Sequence, residues 1–127
     1  MKNYLNKYSV QKVFSENFYY YDFKSDFGSA KIYFWFFENK VTLDDFEVNQ
    51  KRMGFGKELF IDLLEFLIQS NVKKLSISSR NTEEAQLFWK KMTNFSYSHK
   101  IIENTIDVKE TFLTLNENYC KNKRFAI

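Results

Sequence analysis

Val41-Thr42-Leu43-Asp44-Asp45-Phe46-Glu47-Val48-Asn49-Gln50-Lys51-Arg52-Met53-Gly54-Phe55-Gly56-Lys57-Glu58-Leu59 is the stretch whose reading decides the fold. Val41 and Leu43 alternate in one phase, Phe46 and Val48 in the other. A regular strand changes face at every residue, so positions 43 and 46 fall on opposite faces unless one residue is inserted. A bulge at Asp44-Asp45 returns all four apolar residues to one face, and bulges often sit beside active sites. The strand then passes a basic loop with two glycines and enters a helix. The first helical turn carries unpaired N–H groups and the positive end of the helix dipole. Gly54 and Gly56 let a backbone approach a phosphate closely, and Lys51, Arg52 and Lys57 add cationic donors. That order of elements makes an anion site, and a phosphorylated ligand is the partner it predicts.

On the N-terminal side the sequence reads as strands. Tyr4–Phe14 alternates weakly and opens the fold as a short strand or irregular segment. Phe18–Phe23 is Phe-Tyr-Tyr-Tyr-Asp-Phe, a strand by its aromatic content, and 25–29 is a turn. Ile32–Phe37 is apolar on both faces, so it is covered on both or lines a site with one. Glu38-Asn39-Lys40 connects it tightly to the bulged strand.

On the C-terminal side, Phe60, Leu63, Leu64, Leu67 and Ile68 make the apolar face of a helix over 54–70. Glu58, Asp62, Glu65 and Gln69 make its wet face, and Asn71 fits a left-handed cap. Lys74–Ser79 turns Leu75 and Ile77 inward as a strand parallel to the bulged one, with a right-handed crossover expected. Asn81 caps a second helix and Glu84 completes a variant capping box. Ala85, Phe88, Trp89 and Met92 form its buried stripe, and periodicity alone makes Phe88 and Trp89 core. Phe95–Ile102 and Thr105–Leu115 read as two last strands. The predicted class is α+β (α/β): a mixed, mostly antiparallel sheet of about six to seven strands, two main helices and a bulged central strand.

Composition bounds the function. The 127 residues make one domain, 44% hydrophobic and 20% aromatic, with a ring-rich core. A net charge of +3 is too mild to imply nucleic acid by itself, but it suits a phosphorylated ligand. One cysteine, Cys120, excludes an internal disulfide and fits a reducing cytoplasm. No apolar run approaches the roughly 20 residues of a membrane span, and the N-terminus has no signal-peptide pattern. The only histidine, His99, makes neither triad nor metal site alone, so no metal is expected.

Leu-x-Asp-Phe-x-Val followed by Lys51-Arg52-Met53-Gly54-Phe55-Gly56 resembles the acetyl-CoA signature of the GNAT superfamily of N-acetyltransferases. That signature is Arg/Gln-x-x-Gly-x-Gly/Ala, and Lys51 takes its first position. Asn81-x-x-x-Ala85-x-x-Phe88-Trp89 resembles the family's later Asn-x-x-Ala-x-x-Phe-Tyr helix, and the two motifs together cover residues 31–97. The resemblance implies acetyl-CoA as co-substrate and an amine acceptor, either a small molecule or a protein lysine or N-terminus. It implies cofactor contacts from Phe46, Val48, Lys51, Arg52, Met53, Gly54, Phe55, Gly56, Lys57, Asn81 and Phe88. Family bases project from alternate positions of the bulged strand, which here are Thr42 and Asp44. Only Asp44 ionises, so it is the expected general base, with Asp45 and Glu47 as alternates. The ordinary reading of both aspartates, as polar residues of a bulge, stands beside that one. The family often protonates the departing thiolate from a Tyr where this chain has Trp89, an indole donor without acidity. Either the thiolate leaves unprotonated, or Tyr97 or Tyr119 takes that role.

Family members carry one or two helices between their first two strands, where this chain has hardly any room. Those helices wall the acceptor pocket, so the expectation here is an open groove, or one completed by a second subunit in a homodimer. An open groove favours a peptide or protein lysine as acceptor. A Walker A loop needs Gly at Lys51 and Ser or Thr at Glu58, and a dinucleotide fingerprint needs Gly at Leu59, so both are set aside. Two rivals remain: a CoA-binding module without catalysis, and a nucleic-acid-binding protein that stacks bases on Ile32–Phe37.

Overall fold

The computed structural model describes residues 7–49, 54–78, 82–93 and 103–125. Six strands and three helices follow in the order β1 (Ser9–Phe14), β2 (Phe18–Lys24), β3 (Gly28–Trp35), β4 (Lys40–Val48), α1 (Phe55–Gln69), β5 (Lys74–Ser78), α2 (Glu83–Thr93), β6 (Glu103–Asp107) and α3 (Val108–Phe125). The strands lie side by side in that same order. All neighbours are antiparallel except β4 and β5, which run parallel across the α1 crossover. The class is thus α+β with a mostly antiparallel sheet.

The bulge lies where the phase change puts it. Ser29 pairs with Glu47 and Lys31 with Asp44, so β4 uses one residue more than β3 between the two pairs. Asp45 absorbs the insertion with φ of 51°, a left-handed conformation that Asp tolerates better than most side chains. Leu43 is fully buried, and Val41 and Phe46 pack against the same core.

That core joins one sheet face, through Phe23, Ala30, Ile32, Leu43, Leu75 and Ile77, to Leu59, Phe60, Leu63, Leu64 and Leu67 of α1. Trp89 of α2 wedges between Phe46 and Phe60, with ring centroids 5.0 Å from each. Tyr8, just before β1, is buried on α1 and donates a 2.6 Å hydrogen bond to Asp62. Lys7 beside it pairs with Glu58 and Asp62 at 2.9 and 3.0 Å. The other sheet face carries Phe18, Tyr20, Tyr33 and Trp35, half-buried rings that do not join the core.

The end of the chain differs from the sequence reading. Thr105–Leu115 is not one strand: β6 stops at Asp107 and α3 begins at Val108. Alternation of Thr111, Leu113 and Leu115 suggested a strand. However, Val108, Phe112 and Leu115 share helical spacing and are the residues that meet the core, while Leu113 is exposed. The stop signal was present in Asp107-x-x-Glu110. The Asp107 carboxylate accepts the Glu110 N–H at 2.9 Å as an N-cap. That hydrogen bond, helped by Lys74, holds the Asp107 carboxyl below its usual range. A third helix therefore joins the two expected ones. The expected strand Phe95–Ile102 lies outside the described residues.

Candidate functional site

Two neighbourhoods of β4 carry the expected site residues, one on each face of the sheet. On the core face, the pairing of β4 with β5 covers Thr42↔Ser76 and Leu43↔Ile77. Among the described residues, nothing of β4 beyond Leu43 pairs with β5. The described part of β5 ends at Ser78, and the first turn of α1 lies against Val48 at the far end of β4. Gly54 begins the helix with φ of 78°, a conformation that disfavours any Cβ, and open space surrounds it. It offers no side-chain cap, so no capping oxygen of its own covers the N–H groups of the first turn.

Packing also keeps Gly56 small. A Cβ there would stand 2.8 Å from Phe88 Cε1 and 3.4 Å from Val48 Cγ2. The close approach of α1 to α2 leaves no room for a side chain at this position. Phe46 joins the same cluster, 5.5 Å from Phe88 between centroids. Phe55 packs on Phe27 at 5.1 Å. Asn49, which sequence reasoning passed over, fixes the end of β4: its N–H donates to Phe27 O and its side-chain amide to Asp26 O, both at 2.8 Å. An Asn directly after an apolar strand end was the available signal.

The structure thus gathers Phe46, Val48, Gly54, Phe55, Gly56, Lys57 and Phe88 around one helix start. Lys51, Arg52, Met53, Asn81 and Tyr97 lie outside the described residues, as does His99. Tyr119 falls in the last turns of α3. At the start of α2 the Thr82 hydroxyl accepts the Ala85 N–H at 3.1 Å, so Thr82 caps the first turn; the expected cap Asn81 lies outside the described residues. Trp89, at the position of the family's Tyr, is 3% exposed and belongs to the core.

Asp44 and Asp45 are on the opposite side of β4. Asp44 is the cross-strand partner of Lys31, and its Oδ1 accepts the Asp45 N–H at 2.9 Å, which ties it to the bulge backbone. Asp45 Oδ2 lies 3.5 Å from Lys31 Nζ. Both aspartates therefore have the structural work that a bulge provides, whatever else they do. Thr42, the other expected projecting position, accepts the Trp35 indole N–H at 3.0 Å. Burial pushes the Tyr33 hydroxyl above its ordinary pKa, and Asp45 and Asp44 push it further against the opposing pull of Lys31. Burial alone would lower the Lys31 ammonium, but Asp45, Tyr33, Asp22 and Tyr20 together outweigh it and raise the value.

No protein-family model, curated protein or solved structure matches this chain. Among the described residues, no three His, Cys, Asp or Glu side chains are grouped to hold a metal ion. Among them, too, no helix is long and apolar enough to cross a membrane.

Proposed function

We propose that this chain is an acetyl-CoA-dependent N-acetyltransferase of the GNAT type that acts on a primary amine, with a peptide or protein lysine as the favoured acceptor. The observation that carries this reading is the Asp44-Asp45 bulge in β4, in the strand that leads to a helix opening on Gly54. A bulge disrupts its ladder and frees backbone groups for an extended ligand, and a helix start suits its phosphates. The glycine motif and the Phe88 helix stand in the order that the resemblance requires. In the reaction the amine nitrogen attacks the thioester carbonyl carbon, the C–S bond breaks and the thiolate leaves. The proton lost by the amine goes to Asp44, directly or through a water.

Calorimetry with CoA tests the donor half. Saturable binding to the wild type, lost in a folded Gly54→Val variant, supports the reading; absence of any CoA binding overturns it. Asp44→Asn is expected to lower turnover about 10²–10⁴-fold with acetyl-CoA affinity unchanged, the usual cost of a lost general base.

One further reading rests on particular residues. Trp89 is sealed in the core and Asp44 is engaged by its own bulge, which favours a CoA-binding module without turnover. An assay against small amines and total cell protein separates the two: CoA binding with no acetylated product selects the module.

A further inference from the structure

The open face of the sheet has a composition that solvation alone does not require. Phe18, Tyr20, Tyr33 and Trp35 form one continuous ring platform, with centroid separations of 4.8 Å for Phe18–Trp35, 5.3 Å for Phe18–Tyr33 and 4.9 Å for Tyr20–Tyr33. Beside the platform a groove of about 380 Å³ runs across β2, β3 and β4, lined by Asp22, Lys24, Ser29, Lys31, Asp45 and Glu47. Charges pair within the groove, Lys24 with Asp22 at 3.7 Å and Lys31 with Asp45 at 3.5 Å, and Asp44 lies opposite Lys31.

One side chain already shows what such a surface holds. The Lys31 ammonium stands 5.5 Å over the Tyr20 ring and 3.5 Å from Asp45 Oδ2. An alkyl stem ending in an ammonium between a ring face and a carboxylate is a recurring way to bind an amine cation. We propose that this groove is a binding site for an alkylammonium ligand, held by Asp45 and Asp22 and by the Tyr20 and Tyr33 rings, with Lys31 keeping the place in the free protein. The Lys31–Asp45 pair is partly exposed, and exposed pairs cost little to exchange for another ammonium.

The backbone supports the assignment. Asp45 sits inside a strand with a left-handed φ of 51°, and it is the bulge that sets its carboxylate among the groove residues. The same inserted residue turns Phe46 and Val48 to the helices, so β4 presents the groove on one face and the glycine-loop cluster on the other. If the groove is the acceptor site, that role rests on the acetyltransferase reading; the binding of an amine does not.

The test is a titration of the full chain, without CoA, followed by amide chemical shifts. Putrescine and spermidine represent free polyamines, and a short lysine peptide blocked at both ends represents protein lysine. N-acetylputrescine, with one ammonium fewer, is the control and is expected to bind more weakly. Saturable shifts on β2, β3 and β4, reduced by added salt, are expected. Asp45→Asn keeps a residue that accepts positive φ while removing the charge, and it is expected to weaken binding about two- to fivefold. Lys31→Ala vacates the place and is expected to tighten binding by a similar factor. Tyr20→Leu is expected to weaken it without unfolding the sheet, as circular dichroism will show. Saturation by the peptide alone, or by the polyamines alone, names the source of the ammonium. No saturable shift with any probe, equal affinity in Asp45→Asn, or weaker binding in Lys31→Ala overturns the proposal. Amine binding by a chain that does not bind CoA leaves this site standing and removes only the transferase reading.

Discussion

The two faces of β4 share one backbone and answer to different physics. Toward the helices stand Val41, Leu43, Phe46 and Val48; Leu43 is fully buried, and Phe46 is gripped by Phe88 and Trp89. Toward the open side stand Thr42, Asp44, Asp45 and Glu47, the first three of them held by single hydrogen bonds and an exposed ion pair. Position on the first face is set by area removed from water, which no single contact decides. Position on the second is set by a few polar contacts in high dielectric, each weak and each replaceable. The lesson is that a strand can be fixed from one side and left free to exchange partners on the other. The bulge is what allows both patterns to persist past residue 44.

Deleting Asp45 is the most direct way to break this contrast. The regular register then turns Phe46 and Val48 to the open face. Two apolar side chains leave the helices, at an upper estimate of about 3–6 kcal/mol. Urea denaturation should show a lower midpoint, and a change of less than about 1 kcal/mol would mean the bulge does not hold the phase. Leu43→Ala asks only about the buried face and should cost about 2–5 kcal/mol, the range for a core leucine.

Tyr8→Phe probes a polar exception on the buried side, the 2.6 Å hydrogen bond to Asp62. Its loss should cost about 1.5–3 kcal/mol, as for a bond to a charged acceptor. Burial, reinforced by Asp62, raises the pKa of this hydroxyl. The wild type should therefore keep this contribution below the ordinary tyrosine value, about 10, and lose it progressively as pH rises beyond that. Tyr8→Phe should flatten that alkaline decline in a pH series of thermal melts.

Gly56→Ala forces a methyl to within 2.8 Å of the Phe88 ring edge, which must move. A cost of about 1 kcal/mol is expected, and Phe88→Leu in the same chain should remove most of it. Additive costs in that double variant would place the strain elsewhere. Asp45→Gly should be the mildest change, within about 0.5 kcal/mol of wild type or slightly stabilising, because glycine accepts the positive φ and the lost ion pair is exposed.

Most of the fold was legible because burial writes a period into the chain. The jump from Leu43 to Phe46 announced the bulge, and Leu63, Leu64 and Leu67 announced the face of α1. Asn71, expected as a left-handed cap, has φ of 61°. Reading failed where two periods coexist. From Thr105 to Leu115 the alternation is real in sequence, yet Asp107 caps a helix in its middle, and a capping carboxylate weighs more than alternation of threonines. Contacts of the expected site residues were less legible. Residue types suggested a glycine loop, but not that Gly56 packs on Phe88 or that Asp44 binds its own bulge. Those facts depend on which elements meet, and a one-dimensional pattern does not hold that information.

The strand order has a consequence for how the chain assembles. Each described strand lies beside its predecessor in the sequence, so no later strand has to enter between two earlier ones. The first three pairings close through short turns, and such hairpins form on the microsecond scale. The longest closure brings Ile77 beside Leu43 across the whole of α1, and it carries the greatest loop entropy before any contact rewards it. The parallel pair is therefore expected to form in the rate-limiting step. Ile77→Val should slow refolding, whereas Val13→Ala in the first hairpin should mainly speed unfolding.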